Sequence, residues 1–335
     1  MAVWETWRDA MERALYGADG FYRRGERPRE HFRTSVHASP RFAAALARLL
    51  VDVDAALGRP DRLDLVDIGA GGGELLVNLL ERVPDDLARR VVPIAVEVAP
   101  RADGVPACVE WRDEPPAHIT GLVIANEWLD NVPLDVVELT PAGPRKVLVE
   151  AGCGAERSGP EPSRDDLDWL DRWWPLRENG DRAEVGSPRC AAWSGVIERL
   201  DRGLAVAIDY AHRAGERPVY GTITGYRDGS TVPAIPDGSC DVTAHVALDA
   251  CAVAGEQAGA TAGVLTTQRA ALRALGITGA RPPLDLAHRD PRGYLAALSV
   301  AGEDAELTDP GGLGGFGWLA QSVGIAIPSV LADLA

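Results

Sequence analysis

The stretch LDLVDIGAGGGELLVNLLERV, residues 63–83, decides the fold of this 335-residue chain. LDLVDI is a short and mostly apolar run, which is typical of a strand buried in a parallel sheet. GAGGG predicts a sharp turn, because glycine tolerates backbone conformations that other residues avoid. Leucine and valine then recur at helical spacing until Pro84 ends the pattern. The stretch therefore predicts a strand, a tight turn and a helix.

Three more strands are predicted further along the chain, in VVPIAVEV (91–98), GLVIANE (121–127) and GLAVAIDY (203–210). Strands that alternate with helices indicate βαβ units and a parallel sheet. We therefore predict an α/β fold with a parallel, Rossmann-like sheet.

The chain divides into two predicted parts. Residues 1–58 form an N-terminal helical cover with a loop rich in Gly, Arg and Pro, and residues 59–335 form the Rossmann-like domain. An insertion at about 140–200 contains strand-like RKVLVEAGCG and a helix with three tryptophans, and we expect an inserted helical lobe. For Trp169, Trp173 and Trp174, core packing or contact with a lid is favoured over an aromatic ligand cage.

The composition limits the partners. A net charge of −16 disfavours nucleic acid and anionic membranes and favours a basic or neutral partner, although the acidity also serves solubility alone. The N-terminal pattern is an amphipathic helix rather than a signal peptide, and no apolar run is long enough to span a membrane. Five scattered cysteines argue against disulfides and a zinc site. We expect a cytoplasmic protein without a metal, and consider a homodimer as its assembly.

The glycine turn predicts a cofactor site. Gly69, Gly71 and Gly73 follow Asp67, but Glu74 stands where a dinucleotide fingerprint needs Gly or Ala. A carboxylate at a helix N-terminus would repel a pyrophosphate, so a cofactor without phosphates fits better. The alternative is a tight strand-to-helix turn with incidental acids.

A second acid supports the cofactor site. Glu97 ends the next strand, 28 residues after Gly69, where a carboxylate can accept hydrogen bonds from both ribose hydroxyls. This arrangement is typical of S-adenosylmethionine (SAM) sites in Rossmann-like methyltransferases. The predicted cofactor contacts around the turn are Asp67, Gly69, Ala70, Gly71, Gly73 and Glu97.

Several ordered motifs resemble one family. The chain is similar to the MidA-like methyltransferases, relatives of a mitochondrial complex I assembly factor that methylates an arginine. The matching segments are GFY (20–22), FRTSVHAS (32–39), DIGAGGGEL (67–75), VEVAP (96–100), ANEWLDNVP (125–133), IDYA (208–211), DVTAHV (241–246), TQ (267–268) and LGI (275–277).

Departures from the family pattern affect the N-terminal segment. Glu30-His31 replaces a Gly-Asp pair, and Val36-His37 replaces a Pro-Glu pair. A Gly-His pair expected after Tyr226-Arg227 is also missing. This divergence leaves two alternatives open beside arginine methylation: a small-molecule O- or N-methyltransferase, and an assembly or interaction protein that retains the fold without catalysis.

The resemblance implies a SAM-dependent methyltransferase that acts on an arginine of a partner protein. An arginine nitrogen needs carboxylates to orient it, and Glu127 and Asp130 follow a strand whose carboxyl end opens on the ligand crevice. Asn126 would accept a hydrogen bond from that nitrogen or contact the cofactor. The alternative is that Asn126 and Asp130 cap a helix that begins near Trp128.

Three further residues complete the predicted site. The resemblance places Thr34 and Ser35 at the methionine end of the cofactor. His245 is a second catalytic candidate near the methyl acceptor, whereas a packed and hydrogen-bonded histidine is the alternative.

Overall fold

The structure, a computed structural model, describes residues 3–24 and 34–334. The replaced residues Glu30 and His31 lie outside the described residues.

Seventeen strands occur in the described residues, several of them only two or three residues long. In chain order they are β1 (Trp4–Thr6), β2 (Leu63–Ile68), β3 (Val91–Val96), β4 (Glu110–Arg112), β5 (Ile119–Asn126), β6 (Val136–Thr140), β7 (Gly143–Glu150), β8 (Glu156–Ser158), β9 (Arg182–Glu184), β10 (Leu200–Asp209), β11 (Ala211–His212), β12 (Thr224–Arg227), β13 (Ser230–Val232), β14 (Asp241–Thr243), β15 (Val246–Ala247), β16 (Ala262–Thr267) and β17 (Gly317–Val323).

A seven-stranded sheet forms the centre of the protein, with the order β16-β17-β10-β5-β2-β3-β4. The neighbours from β10 to β4 are parallel, and β17 runs antiparallel to both β10 and β16. The predicted α/β sheet is therefore confirmed. The parallel strands β2, β3, β5 and β10 bring their carboxyl ends to one edge, where ligands of open α/β sheets bind.

Helices cover both faces of this sheet. In chain order they are α1 (Trp7–Met11), α2 (Ser35–Ala38), α3 (Pro40–Ala56), α4 (Glu74–Leu80), α5 (Asp85–Ala88), α6 (Arg164–Trp173), α7 (Ser187–Arg199), α8 (Leu248–Gln257), α9 (Gln268–Ala274), α10 (Leu284–Arg289), α11 (Pro291–Leu307) and α12 (Ser329–Ala332). Shorter turns are a π-helical turn at Glu12–Tyr16 and 3₁₀ turns at Phe21–Arg24, Leu129–Asn131 and Leu313–Gly315.

The core is divided by the sheet. On one face the buried apolar residues of α3, α4 and α9 pack against the strands, and on the other face α7 and α8 do so. Helix α3 begins cleanly because the Ser39 hydroxyl accepts a hydrogen bond from the backbone N–H of Arg41 (3.0 Å) and Pro40 occupies the first turn. The segment from α1 to the 3₁₀ turn at 21–24 packs instead against β7 and β14.

The insertion differs from the expected helical lobe. Its strands β7, β8 and β9 belong to an antiparallel sheet, with the order β1-β7-β6-β9 and β8 paired to β7, and α6 packs against this sheet. The alternating residues of RKVLVE suit a half-buried strand, which explains the difference. Trp169 and Trp174 are buried against this sheet, so the core-packing interpretation is correct for them.

No helix among residues 3–24 and 34–334 combines the length and the apolar character needed to cross a membrane.

Candidate functional site

The glycine turn connects β2 to α4 at the carboxyl edge of the sheet. Gly69 has φ +72°, in the left-handed region, and a Cβ there would lie 3.0 Å from the Trp128 ring. Any larger residue would therefore meet both backbone strain and a clash. The backbone N–H groups of Gly69 and Ala70 donate to the carbonyl of Val96 (3.0 and 3.2 Å), which ties the turn to the end of β3.

Glu97 lies directly after β3 and braces the same turn. One carboxylate oxygen accepts from the N–H of Gly71 (2.8 Å) and the other from the N–H of Ala99 (2.9 Å). Burial raises the pKa of Glu97, and these backbone donors oppose the rise. Each carboxylate oxygen has further lone pairs, so Glu97 can still accept bonds from two hydroxyls of a ligand.

Two adjoining cavities follow the turn. Their volumes, which include space open to solvent, are about 570 and about 710 Å³. The smaller cavity is lined by residues that include Thr34, Asp67 and Asn126, and the larger by residues that include Glu97 and Trp128. Five residues line both cavities and make them one cleft: Tyr22, Gly69, Gly71, Glu127 and Asn131.

Most of the predicted cofactor residues are found in this cleft. Asp67 is 3% exposed, and its pKa is raised to about 8 by burial and then by Glu97 and Glu74. Gly73 does not line either cavity; its φ of +80° lies in the left-handed region, and a Cβ there would lie 3.2 Å from Val105.

Glu127 and Asn126 lie at the junction of the cavities. Glu127 has φ +51°, which costs a non-glycine residue about 1–2 kcal/mol, and its N–H donates to the carbonyl of Ile208 (2.8 Å). One carboxylate oxygen accepts from the Ser35 N–H (3.2 Å) and from the Asn126 amide (3.1 Å). Its other oxygen and the Asn126 amide oxygen are buried without a partner among the described residues.

The two N-terminal residues have different places. Thr34 lines the cleft, with its hydroxyl 2.7 Å from the Nδ1 of His37. Ser35 is fully buried, and its hydroxyl donates to the side chain of Gln268 (3.0 Å) while its N–H holds Glu127. Ser35 is therefore placed to position Glu127 and does not line the cleft.

The capping interpretation of Asn126 and Asp130 is wrong. The chain forms only a 3₁₀ turn at Leu129–Asn131, without a side-chain cap. Asp209 performs that task, because its carboxylate accepts from the N–H groups of Leu129 (3.0 Å) and Asp130 (3.2 Å). One carboxylate oxygen of Asp130 is buried without a partner among the described residues.

Four buried carboxyl groups surround the end of β5. Burial raises the pKa of Glu127 to about 8, of Asp241 to about 8 and of Asp130 to about 6, and it raises that of Asp209 as well. Asp130 raises the pKa of each of the other three groups further. Glu127 and Asp130 follow β5, Asp209 ends β10 and Asp241 begins β14, and together they form an acidic cluster behind the cleft.

A buried arginine balances the cluster. Arg189 is 1% exposed, and its guanidinium donates to the backbone carbonyls of Asp130, Val132, Ala244 and His245. Its charge opposes the rise of the pKa of Asp130 and of Asp209. The sequence reasoning missed Arg189, although a charged residue near the start of the apolar helix α7 was a signal.

Aromatic and acidic residues of the cleft were also missed. The hydroxyl of Tyr22 and the amide of Asn131 both donate to Asp241, at 3.0 and 2.8 Å. Asp113 lines the larger cavity just after β4.

His245 lies away from the cofactor cleft. Its ring stacks on Tyr210, with centroids 5.5 Å apart, and its backbone N–H donates to the Thr222 hydroxyl (2.7 Å). Both rings line a third cavity of about 860 Å³ together with Phe316. In the described part of the chain, no group of three His, Cys, Asp or Glu side chains is placed to hold a metal ion.

Comparison with known proteins identifies the family. Residues 45–266 match the model of a family described as "Putative S-adenosyl-L-methionine-dependent methyltransferase". The chain belongs to this family. SAM is accordingly the cofactor of this methyltransferase, and the resemblance drawn from the sequence motifs is confirmed at that level. A search of the curated proteins found no match.

Solved structures share the fold of the methyltransferase. A COG1565 superfamily protein from Burkholderia thailandensis, crystallised with S-adenosyl-homocysteine, is 26% identical, with a TM-score of 0.82. The match covers 98% of this chain and 90% of that chain, and a native crystal structure of a COG1565 superfamily protein from the same organism gives the same values.

The cleft suits SAM chemically. Glu97 offers acceptors for a ribose diol, as a carboxylate at the end of the second strand commonly does. At the other side, the buried oxygens of Asn126 and Glu127 need donors or a positive charge, and SAM carries a cationic sulfonium and ammonium. Glu74 in the first turn of α4 lines the smaller cavity and is compatible with this cationic ligand.

Proposed function

We propose that the methyltransferase methylates an arginine nitrogen of a partner protein, with Glu127 as the residue that orients the guanidinium. The observation that carries the proposal is a buried carboxylate oxygen of Glu127 at the cofactor cleft, beside the buried amide oxygen of Asn126; neither has a hydrogen-bond partner among residues 3–24 and 34–334. The MidA-like sequence motifs support the same acceptor, since relatives of that family methylate arginine.

The proposed chemistry is an in-line displacement. SAM supplies an electrophilic methyl group, and a new N–CH₃ bond forms as the S–CH₃ bond breaks. Most of the catalytic task is to hold the nitrogen at attack distance with its lone pair directed at the methyl group. The planar guanidinium presents several N–H donors, which match a carboxylate and a neighbouring amide oxygen.

Glu127 is also placed to accept the proton that leaves the attacking nitrogen. A free guanidinium has a pKa above 12, but the nitrogen becomes acidic once it carries the methyl group, and the proton can then pass to a nearby carboxylate. Burial raises the pKa of Glu127 to about 8, so its ionised form binds a proton more strongly than an ordinary glutamate does. The acidic cluster behind it favours a positively charged acceptor over a neutral or anionic one.

Tritium-labelled SAM distinguishes the candidate functions. The protein is incubated with a lysate of its source cells, and labelled protein is hydrolysed and separated by amino acid. We expect the label in methylated arginine, lost with Glu127→Gln and retained with Glu198→Gln, a matched substitution at an exposed position.

Other outcomes contradict the proposal. Label in a low-molecular-weight product would indicate a small-molecule methyltransferase. Absence of any labelled product from a protein that binds SAM would indicate the non-catalytic assembly role.

A further inference from the structure

The cavity lined by Tyr210, His245 and Phe316 is separate from the cofactor cleft and lies beside the acidic cluster. It lies at the carboxyl end of β10, where Tyr210 follows the last residue of the strand and Phe316 precedes β17. The two rings are 4.1 Å apart between centroids, and the His245 ring stacks on that of Tyr210 with centroids 5.5 Å apart. These three rings make an aromatic wall on a cavity of about 860 Å³.

Tyr210 connects this wall to Glu127. The Glu127 N–H is bonded to Ile208, two residues before Tyr210, and the Glu127 carboxylate raises the pKa of the Tyr210 hydroxyl beyond the effect of burial. The Tyr210 hydroxyl is hydrogen-bonded to Tyr226, which holds the ring in place. The aromatic wall therefore lies on the side of Glu127 that belongs to β10, whereas the cofactor cleft lies on the side of the glycine turn.

A second part of the cavity lining has little side-chain bulk. Pro310, Gly311, Gly312 and Gly315 line it, and Leu313 is partly buried. Glycine backbone leaves room for another chain to approach closely and exposes carbonyl and N–H groups to it. An extended peptide segment would fit such a surface better than a rigid domain face.

We propose that this cavity is the entrance for the methyl acceptor, and that it takes an arginine side chain of a partner protein across the rings of Tyr210 and Phe316 toward Glu127. The inference rests on the proposed function. A guanidinium is planar, stacks on aromatic faces and is attracted by their negative π-face. The carboxyl groups of Glu127 and Asp130 lie behind the wall, each with a buried oxygen that has no partner among the described residues, and a bound guanidinium would favour their ionised form.

The protonation state of the His245 ring is compatible with a cationic ligand. Burial, and then the charge of Arg189, lower the pKa of His245, so its ring is neutral at pH 7 and does not repel a guanidinium. The Arg189 guanidinium is itself engaged by four backbone carbonyls.

Nuclear magnetic resonance tests the entrance without any turnover. The chain has six histidines, so the ring signals can be assigned by single His→Gln variants. The full-length protein is saturated with S-adenosyl-homocysteine and titrated with Nα-acetyl-arginine methylamide. We expect a saturable shift of the His245 signal, with the exposed His118 signal unmoved. The citrulline analogue, which has the same shape without the charge, should produce no saturable shift.

Variants of Tyr210 test the aromatic wall itself. Tyr210→Leu removes the ring and should weaken binding of the arginine probe about fivefold, the loss of one cation–π contact. Tyr210→Phe keeps the ring and serves as the matched control, with an affinity within about twofold of the parent protein. Phe316→Leu provides a second ring deletion if Tyr210→Leu fails to fold. Affinity for S-adenosyl-homocysteine should be the same in all of them.

The outcomes separate this inference from the proposed function. An unmoved His245 signal, an equal response to the citrulline analogue, or equal weakening by Tyr210→Leu and Tyr210→Phe would each overturn the entrance. If labelled methylarginine still forms in such a case, the proposed function stands and the acceptor arrives by another path. If the probe binds as expected but the label is found in another amino acid, the cavity binds guanidinium and the proposed function is wrong.

Discussion

Replacing Glu97 by alanine should weaken SAM binding about a hundredfold. The carboxylate is held rigidly by the N–H groups of Gly71 and Ala99, at 2.8 and 2.9 Å, so its remaining lone pairs are oriented before the ligand arrives. A hydrogen bond to a charged group contributes about 1.5–3 kcal/mol, and a ribose offers two hydroxyls. Water that enters the alanine variant recovers part of that energy, which leaves a loss of about 3 kcal/mol.

A second loss in the alanine variant concerns the glycine turn. Without the carboxylate, the N–H groups of Gly71 and Ala99 lose their acceptor, and the turn is less well held around the cofactor. Glu97→Gln keeps the size and one acceptor oxygen but turns an amide N–H₂ toward one of those donors. We expect about a tenfold loss for the glutamine variant, which separates the charge from the shape.

Isothermal titration with SAM and with S-adenosyl-homocysteine measures these affinities. Glu81→Ala, whose side chain is 66% exposed at the end of α4, is the matched control and should bind as the parent protein does. Melting temperatures show that each variant is folded. A folded Glu97→Ala protein that binds SAM within threefold of the parent would refute the assignment of the ribose to Glu97.

Three further predictions concern the buried charges. SAM binding should release protons at pH 7, because the positive charge of SAM favours the ionised forms of Asp67 and Glu127, whose pKa values are about 8. Calorimetric titration in buffers of different ionisation enthalpy measures this release. The Glu127→Gln variant should release fewer protons. The free energy of unfolding should fall from pH 5 to pH 8. The folded state keeps protons on Asp67, Glu127 and Asp241 up to about pH 8, whereas the unfolded chain loses them near pH 4. A melting temperature that does not fall over this range would contradict the burial of these groups. Arg189→Met should lower the free energy of unfolding, measured in urea, by about 3–5 kcal/mol, because it removes a buried cation from Asp130 and Asp209. The control is Arg172→Met, at an exposed side chain. A loss below about 1 kcal/mol for Arg189→Met, comparable to that of the control, would contradict this role.

The sheet and the cofactor side of the site were predictable from local sequence. Mostly apolar segments such as those in β2 and β10, each followed by a turn, are sufficient to identify parallel strands. The carboxyl ends of such strands meet at one edge, so the sequence alone places Glu97 beside the glycine turn. The insertion was less predictable, because its short strands form a sheet with β1, which is distant in sequence.

The acceptor side could not be predicted in the same way. Arg189, Asp209 and Asp241 belong to different elements, and only the tertiary fold brings them to Asp130. The sequence around Asn126 and Asp130 fits a helix cap as well as a site, and the backbone contacts of Asp209 decide between these interpretations. Residues that are remote in sequence but hydrogen-bonded in the fold produce no periodic sequence pattern, so these contacts could not be predicted.

The balance of buried charge limits the acceptors that the site can favour. The carboxyl groups of Glu127, Asp130, Asp209 and Asp241 are all buried, and Arg189 favours the ionisation of Asp130 and Asp209, because its charge lowers the pKa of both. Desolvated carboxylates beyond that balance either remain protonated or need a positive ligand. A neutral alcohol acceptor would leave this need unmet, whereas a guanidinium would meet it next to Glu127. Retaining such a cluster is costly for folding, and a cationic acceptor gives it a function.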